Sequence, residues 1–549
     1  MHTAFALAAL AGLSACDTID DSCPLDTGGG TVGDSLHIRL TIDTRGQETR
    51  ADGDRPYGGE QGDGWEYGSD NENKVQNVCI FAYRGKALTD LTPAEAAALT
   101  IEARGYASVD KLTEETGTEA GHEEYEGDDK AILTADFIFH KGEKMSTNNL
   151  QFIVVANVGD ITTKVSSVKD VCDYQDYLSW TVGEDSKPTL FAMSSTTNSY
   201  SLGGEGTADD PIRYHIDIER TAARIDFDFG DATLTADNEL QYKVMNPENT
   251  EQIAQLYLKN VKVVNACVLP TYMLKRVAND VNGSSGFQYL GDEKFSKDGT
   301  ATNYVIDPRT SLRTGTFDES WPDAWYKSTH MYASLAETYA DDAPIGGSTD
   351  FYSHIDWSAT GTKVTGYTVG YVNENTFDKD QTVSVYATGL VLKGIYVPDP
   401  KKVYASYDAE KKALVEATPE QFSKGKSFWR FVKNGTPAEQ YCIYFSNKEA
   451  ADAYCAVYNA NNKDGGTVSD EYVNGQCYYY VWLRHANNSD GAVQGPMEFG
   501  IVRNNIYRLK VSSVGGPGTA DPDPRNPEYL KTIIYVRKWR EVSHPEIIV

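Results

Sequence analysis

From Ser35 to Asp43 apolar and polar side chains alternate, with Leu36, Ile38, Leu40 and Ile42 on one side of an extended chain and His37, Arg39, Thr41 and Asp43 on the other. A period of two marks a strand with one buried face. The alternation gives way to a polar, glycine-rich stretch holding Arg50-Ala51, where an extended chain is open to a trypsin-like protease. Cutting there detaches the strand. Burial of four such side chains is worth roughly 1.5–3 kcal/mol each, so the vacated slot is apolar and edged by unpaired backbone. Such a slot accepts a replacement strand, and a chain built this way is suited to polymerise.

Further along, Lys74–Tyr83, Ala131–His140 and Leu150–Val158 read as strands, the last a nearly continuous apolar run typical of a buried strand. Thr92-Pro93 followed by AEAAAL reads as a short helix with Pro at its first position. Between Ile212 and Phe229 the apolar residues change phase: Ile212, Tyr214, Ile216 and Ile218 are even-numbered, whereas Ile225, Phe227 and Phe229 are odd-numbered. A strand cannot change faces without a bulge or a crossing to another sheet, so ERTAAR marks a corner, with Glu219, Arg220 and Arg224 as structural ion-pairing residues. After a polar gap at Gly230–Thr250 a second series follows, with Leu256–Leu269, Gln381–Val397 as two strands or one bent strand, Cys477–His485, Ile501–Val511 and Tyr529–Trp539. Thr418–Gln421 and Ser446–Glu449 carry the capping-box pattern, the second opening a helix to about Asn459. Short strands, few helices and many turn signals describe a mainly β chain of β-sandwiches with short helices and long loops.

Composition narrows the function. At 549 residues two or three domains are expected, and a net charge of −30 disfavours nucleic acid as a partner. Ala4–Leu13 is a short apolar run followed by Leu13-Ser14-Ala15-Cys16, a bacterial lipobox pattern that makes Cys16 the lipidation site, although only His2 precedes the run. Six cysteines, Cys79, Cys172, Cys267, Cys442, Cys455 and Cys477, are scattered without a C-x-x-C pair; disulfides and buried thiols are both open. No metal or cofactor is expected. His122-Glu123-Glu124-Tyr125-Glu126 has Glu where a zinc helix needs its second His. Asn459–Glu471 has Ala460 and Val468 at positions where a calcium loop needs ligands. His485 reads as a satisfied core or edge histidine. No catalytic constellation stands out, and the chain is not expected to be an enzyme.

Several segments together resemble the fimbrillin family of Bacteroidales, the type V pilins, and in particular their minor-fimbrium stalk subunits: the lipobox, ERTAARIDF at Glu219–Phe227, YVNENTF at Tyr371–Phe377, YYYVWLRH at Tyr478–His485, FGIVRNNIYRLKV at Phe499–Val511 and IIYVRKWREV at Ile533–Val542. The resemblance implies two transthyretin-like Greek-key β-sandwich domains in tandem. It divides the chain into a lipoprotein signal peptide (1–15), a propeptide with the removable strand (16–50), an N-terminal sandwich (51–232) and a C-terminal sandwich (233–549). An arginine-specific maturation protease then cuts after Arg50, with Arg45-Gly46 as an alternative, and the C-terminal segment of an identical subunit fills the slot. Ile533, Tyr535, Val536, Ile547, Ile548 and Val549 are the donor candidates, while Ile533–Trp539 reads equally as the last strand of the second sandwich. Expected partners are identical pilin subunits, anchor and tip subunits, the protease, and receptors on host or bacterial surfaces. The precursor is expected lipid-anchored at the outer membrane and the mature form in an adhesive surface fimbrium. A tip adhesin, with Thr310–Asp350 as a binding insertion, and a membrane-anchor subunit are the alternatives.

Overall fold

The computed structural model describes residues 13–14, 35–43, 65–67, 70–108, 113–114, 132–140, 148–183, 188–237, 239–246, 248–267, 269–296, 300–310, 367–381, 386–434, 442–486, 493–520 and 530–540. The chain is mainly β, in several sheets. The first sheet runs Ile132–His140, Ser35–Asp43, Ile212–Arg220, Met193–Ser195, Leu150–Ala156, Asn77–Arg84, Ala103–Ser108, with the short Tyr200–Gly203 strand also paired to Ile212–Arg220. It curls around one core in which Leu36, Ile38, Leu40 and Ile42 meet Val78, Ile80, Phe152, Val154, Ile216 and Ile218.

The Leu150–Ala156 run is continuous because both faces of its strand are covered. Phe152 and Val154 join this core, while Ile153 and Val155 lie in a second one beneath the helices Pro93–Ala98 and Val168–Cys172. The Pro93–Ala98 helix starts as expected. The side chain of Thr92 accepts the amide of Glu95, and Glu95 accepts the amide of Thr92.

The phase change at ERTAAR is a crossing between sheets. Ile212–Arg220 belongs to the first sheet; Ala222–Asp228 lies between Tyr367–Asn373 and Asn505–Val514 in another, which continues through Leu530–Arg540 to Trp65–Tyr67. Only Thr221 separates the two strands. The sequence reading groups Ala222–Asp228 with the N-terminal domain, yet its partners and its apolar side chains, Ile225 and Phe227, belong to the next core. Facing it is a five-stranded sheet in the order Thr233–Leu234, Leu240–Met245, Gln252–Val264, Gly389–Pro398, Gln476–Trp482, which contributes Leu256, Leu258, Leu392 and Tyr479 to the same core.

A further five-stranded sheet, Ala413–Glu416, Val403–Asp408, Cys442–Phe445, Trp429–Lys433, Gly466–Val468, is inserted before Gln476. It has its own core of Phe431, Phe445, Ala450 and Ala451 under the helix Lys448–Asn461. Asn447 caps this helix by accepting the amide of Ala450, one residue later than the Ser446 box expects. The expected helix at Thr418–Gln421 is a single turn. Phe422 is drawn into the large core directly after it, and Gly425 at φ +82° reverses the chain. Among the described residues no helix is long and apolar enough to cross a membrane.

The two cores are joined by buried charge. Arg503, 1 % exposed at its side chain, lies 2.8 Å from Glu374, which is fully buried, and makes a second bond to it at 3.0 Å. The same guanidinium donates to the carbonyls of Met273 (2.7 Å) and Tyr272 (2.6 Å) and reaches Ser194 in the first sheet. Burial alone would lower the pKa of this guanidinium, but the charge and hydrogen bonds of Glu374 raise it above the ordinary value. Removing one partner strands the other charge in the interior. Glu374→Met and Arg503→Met should each cost about 3–5 kcal/mol, whereas the double change to two methionines should recover much of the loss. Urea midpoints of the four proteins check this, and additive losses would contradict it.

Cys79, Cys172, Cys267, Cys455 and Cys477 are free thiols. Burial pushes the thiols of Cys79, Cys172 and Cys477 up to about 12, while Cys455 is partly open to solvent. In native protein at pH 8, peptide mapping after iodoacetamide should find Cys455 modified well before those three; equal labelling would contradict the packing.

Candidate functional site

The Ser35–Asp43 strand sits inside a sheet, with a ladder on either side. All nine residues pair antiparallel with Ile132–His140, from Ser35 opposite His140 to Asp43 opposite Ile132. On the other side Ile38–Asp43 runs parallel to Ile212–Asp217. The alternation produces the burial it implies: Leu36 is 8 % exposed, and Ile38, Leu40 and Ile42 are fully buried. The polar side is more enclosed than the pattern suggests, since Thr41 and Asp43 are also buried.

Local contacts fix the register. Arg39 meets Asp136 across the antiparallel ladder, Nε to Oδ1 at 2.8 Å and Nη2 to Oδ2 at 3.2 Å. Both side chains are about a third exposed, so this pair aligns the strands more than it stabilises them. At the start of the strand the His37 amide donates to the carbonyl of Gly206 (3.0 Å). Gly206 is there for room as well as conformation: it has φ +78°, and a Cβ on it would stand 2.6 Å from Leu36 Cδ1.

At the far end, three chemistry-bearing side chains converge, a grouping the sequence reading missed. Asp43, His215 and Asp217 present ligand-type atoms all within 4.8 Å of one another. His215 and Asp217 are two apart on one strand and so share a face, and the parallel register sets Asp43 opposite Asp217. The alternating HID of His215–Asp217 was the available signal. Its pairing with a residue 174 positions away was not visible without the fold.

The other residues singled out from sequence fall as follows. Ile533, Tyr535 and Val536 lie in the Leu530–Arg540 strand, which pairs antiparallel with Asn505–Val514 within the same chain. Its other side meets Trp65–Tyr67 only at Lys538–Arg540, so among the described residues the strand is an edge over the rest of its length. Cys16, Arg50, Ala51, Ile547, Ile548 and Val549 lie outside the described residues, as do His122–Glu126 and most of Thr310–Asp350. Arg224 pairs with Glu72 (3.2 Å) and Asp226 (3.0 Å), and Arg220 donates to the carbonyl of Glu72 and to Asn73, the structural part the sequence assigns to them. His485 is fully buried between Tyr507 (2.8 Å) and Glu293 (2.9 Å), a satisfied core histidine. In the calcium-like segment, Asn459 both donates to and accepts from the Gly466 backbone, so its side chain closes a turn after the helix.

Comparison with known proteins bears on the C-terminal part of the chain. The family model "Major fimbrial subunit protein type IV, Fimbrillin, C-terminal" matches residues 470–544. No curated protein matches. Among solved structures, a fimbrilin from Porphyromonas gingivalis W83 is 14 % identical, with 93 % of this chain and 99 % of that chain covered and a TM-score of 0.34. The tip fimbrial protein Mfa3 of Porphyromonas gingivalis, with a C-terminal truncation, is 10 % identical over 92 % of this chain and 100 % of that one, at a TM-score of 0.33. A fimbrial assembly protein from Parabacteroides distasonis is 9 % identical over 70 % and 99 %, at 0.24. TM-scores this low leave the shared architecture unassigned. The matched segment contains the paired strands Asn505–Val514 and Leu530–Arg540, and this C-terminal region is similar to the fimbrillin family.

Proposed function

We propose that the chain is a pilin subunit of a type V surface fimbrium, exported as a precursor lipidated at Cys16, cut by an arginine-specific protease after Arg50, and polymerised by strand exchange. In this reading the two main cores are transthyretin-like sandwiches, and a tail of an identical subunit, drawn from Ile533–Val536 and Ile547–Val549, takes the place of Ser35–Asp43. One observation carries it: the strand upstream of the cut is a full member of the sheet, paired on both sides from Ile38 to Asp43 and with its apolar face buried. Its loss opens a slot of definite length, direction and polarity. Nine residues at about 3.3 Å each make it about 30 Å long.

Magnitudes favour exchange over simple release. Four buried side chains at roughly 1.5–3 kcal/mol each hold the strand with roughly 6–12 kcal/mol of gross burial, so cutting the connection alone leaves it seated. A competing strand has to displace it. The Leu530–Arg540 part of the tail is a suitable competitor because most of that strand is an edge, bonded on one side, and the slot offers it two ladders.

Limited digestion with an arginine-specific protease should cut after Arg50, and the segment upstream of the cut should co-purify with the body on gel filtration. On longer incubation SDS-resistant ladders should grow. Deleting Glu546–Val549 should weaken the ladder without affecting the cut, and Arg50→Gln should block both. Clean cutting with monomers only would move the reading to a tip subunit, and resistance at Arg50 to an anchor. Ile38→Ala and Leu40→Ala should each cost about 2–5 kcal/mol and speed loss of the cut segment, measured by mass spectrometry after gel filtration; unchanged retention would sink the claim that these side chains hold the strand.

A further inference from the structure

We propose that Asp43, His215 and Asp217 form a binding site for one divalent transition-metal ion that cross-links the first strand to its parallel neighbour. Asp43 is 5 % exposed, His215 1 % and Asp217 9 %, and their ligand-type atoms lie within 4.8 Å of one another. Zinc held at about 2.0–2.2 Å by oxygen and nitrogen needs ligand atoms roughly 3–3.5 Å apart, so small side-chain rotations bring the three onto one ion. His215 Nε2 and Asp217 Oδ1 are already 3.0 Å apart.

The environment holds the ligands in place from outside the group. Thr197 Oγ1 donates to Asp217 Oδ2 at 3.0 Å, which leaves Oδ1 turned toward the imidazole. The Tyr200 ring packs against the His215 ring with centroids 5.1 Å apart and 35° between planes. Outer contacts of this kind orient metal ligands and tune their affinity. Two carboxylates this close in a buried place repel each other, and a dication between them turns the repulsion into attraction. One imidazole and two carboxylates suit zinc or manganese better than calcium, which takes six to eight oxygens.

The site is divided between the two parts of the precursor. Asp43 is on the strand that the proposed cut releases, and His215 and Asp217 stay on the body, so the ion pins the strand and loses a ligand when the strand leaves. This consequence rests on the proposed strand removal; the binding itself does not.

The test uses the full chain stripped with a chelator and titrated calorimetrically with zinc chloride, and separately with manganese chloride. One ion per chain is expected, with a rise in the unfolding temperature. Asp43→Asn and His215→Gln should each weaken binding by at least about tenfold, and Thr197→Val by about tenfold, in protein whose metal-free circular dichroism matches the parent. Should one variant fail to fold, the other two decide. Absence of saturable binding, or binding that Asp43→Asn and Thr197→Val leave unchanged, overturns the site. A second arm adds the arginine-specific protease: zinc should slow loss of the cut segment in the parent and not in Asp43→Asn. If the segment never leaves under any condition, strand removal fails while the titration still decides the metal site; if it leaves at the same rate with and without zinc, the pinning role is overturned.

Discussion

The arrangement depends on a buried guanidinium and carboxylate, Arg503 and Glu374, at the place where the chain passes between its two main cores. Each is bonded to the other and to groups from separate segments: Ser194 from the first sheet, Tyr272 and Met273 from the stretch beyond the second-core strand, and Thr271 through its hydroxyl. The interior of a protein tolerates such charges only when their hydrogen bonds are met, so these segments have little freedom to slide past one another. Two further arginines flank the crossing at Thr221. Arg220 also reaches Asn504, next to Arg503, and Arg224 ties Glu72, just before the Asn77–Arg84 strand, to the start of the second core. The handover at Thr221 is therefore held by polar groups, with an apolar core on either side.

Much of this was legible in the sequence, and the reasons differ by element. Period-two alternation is a local property, so Ser35–Asp43 and the phase change at ERTAAR could be read from side-chain order alone. What the phase change connects could not, because a crossing to another sheet and a bend within one produce the same flip; only the partners of Ala222–Asp228 separate them. The continuous run within Leu150–Val158 announced a buried strand, but that both its faces are covered, and by which helices, is a long-range matter. The inserted sheet between Val403 and Val468 went unread as a unit because its strands are short, its central one is joined to a neighbour in parallel, and its apolar side chains are aromatics spaced irregularly.

The convergence at Asp43 shows the same limit on a finer scale. A polar residue at the end of an amphipathic strand looks solvated from sequence, and on an edge strand it would be. Here the strand is internal and the parallel register brings Asp43 opposite Asp217, so three polar side chains share a buried space. The polar half of an alternating pattern is thus informative only once the strand's neighbours are known.

The two terminal strands also differ in how they give way under force. Leu530–Arg540, bonded along one side for most of its length, opens like a zipper, one pair of residues at a time. Ser35–Asp43 is gripped from both sides, and pulling it along its own axis loads every bond of both ladders together. Any strand seated in that position experiences the same shear geometry. A strand held there resists tension along its axis through many weak bonds acting in concert, whereas a strand held along one side gives way in small steps.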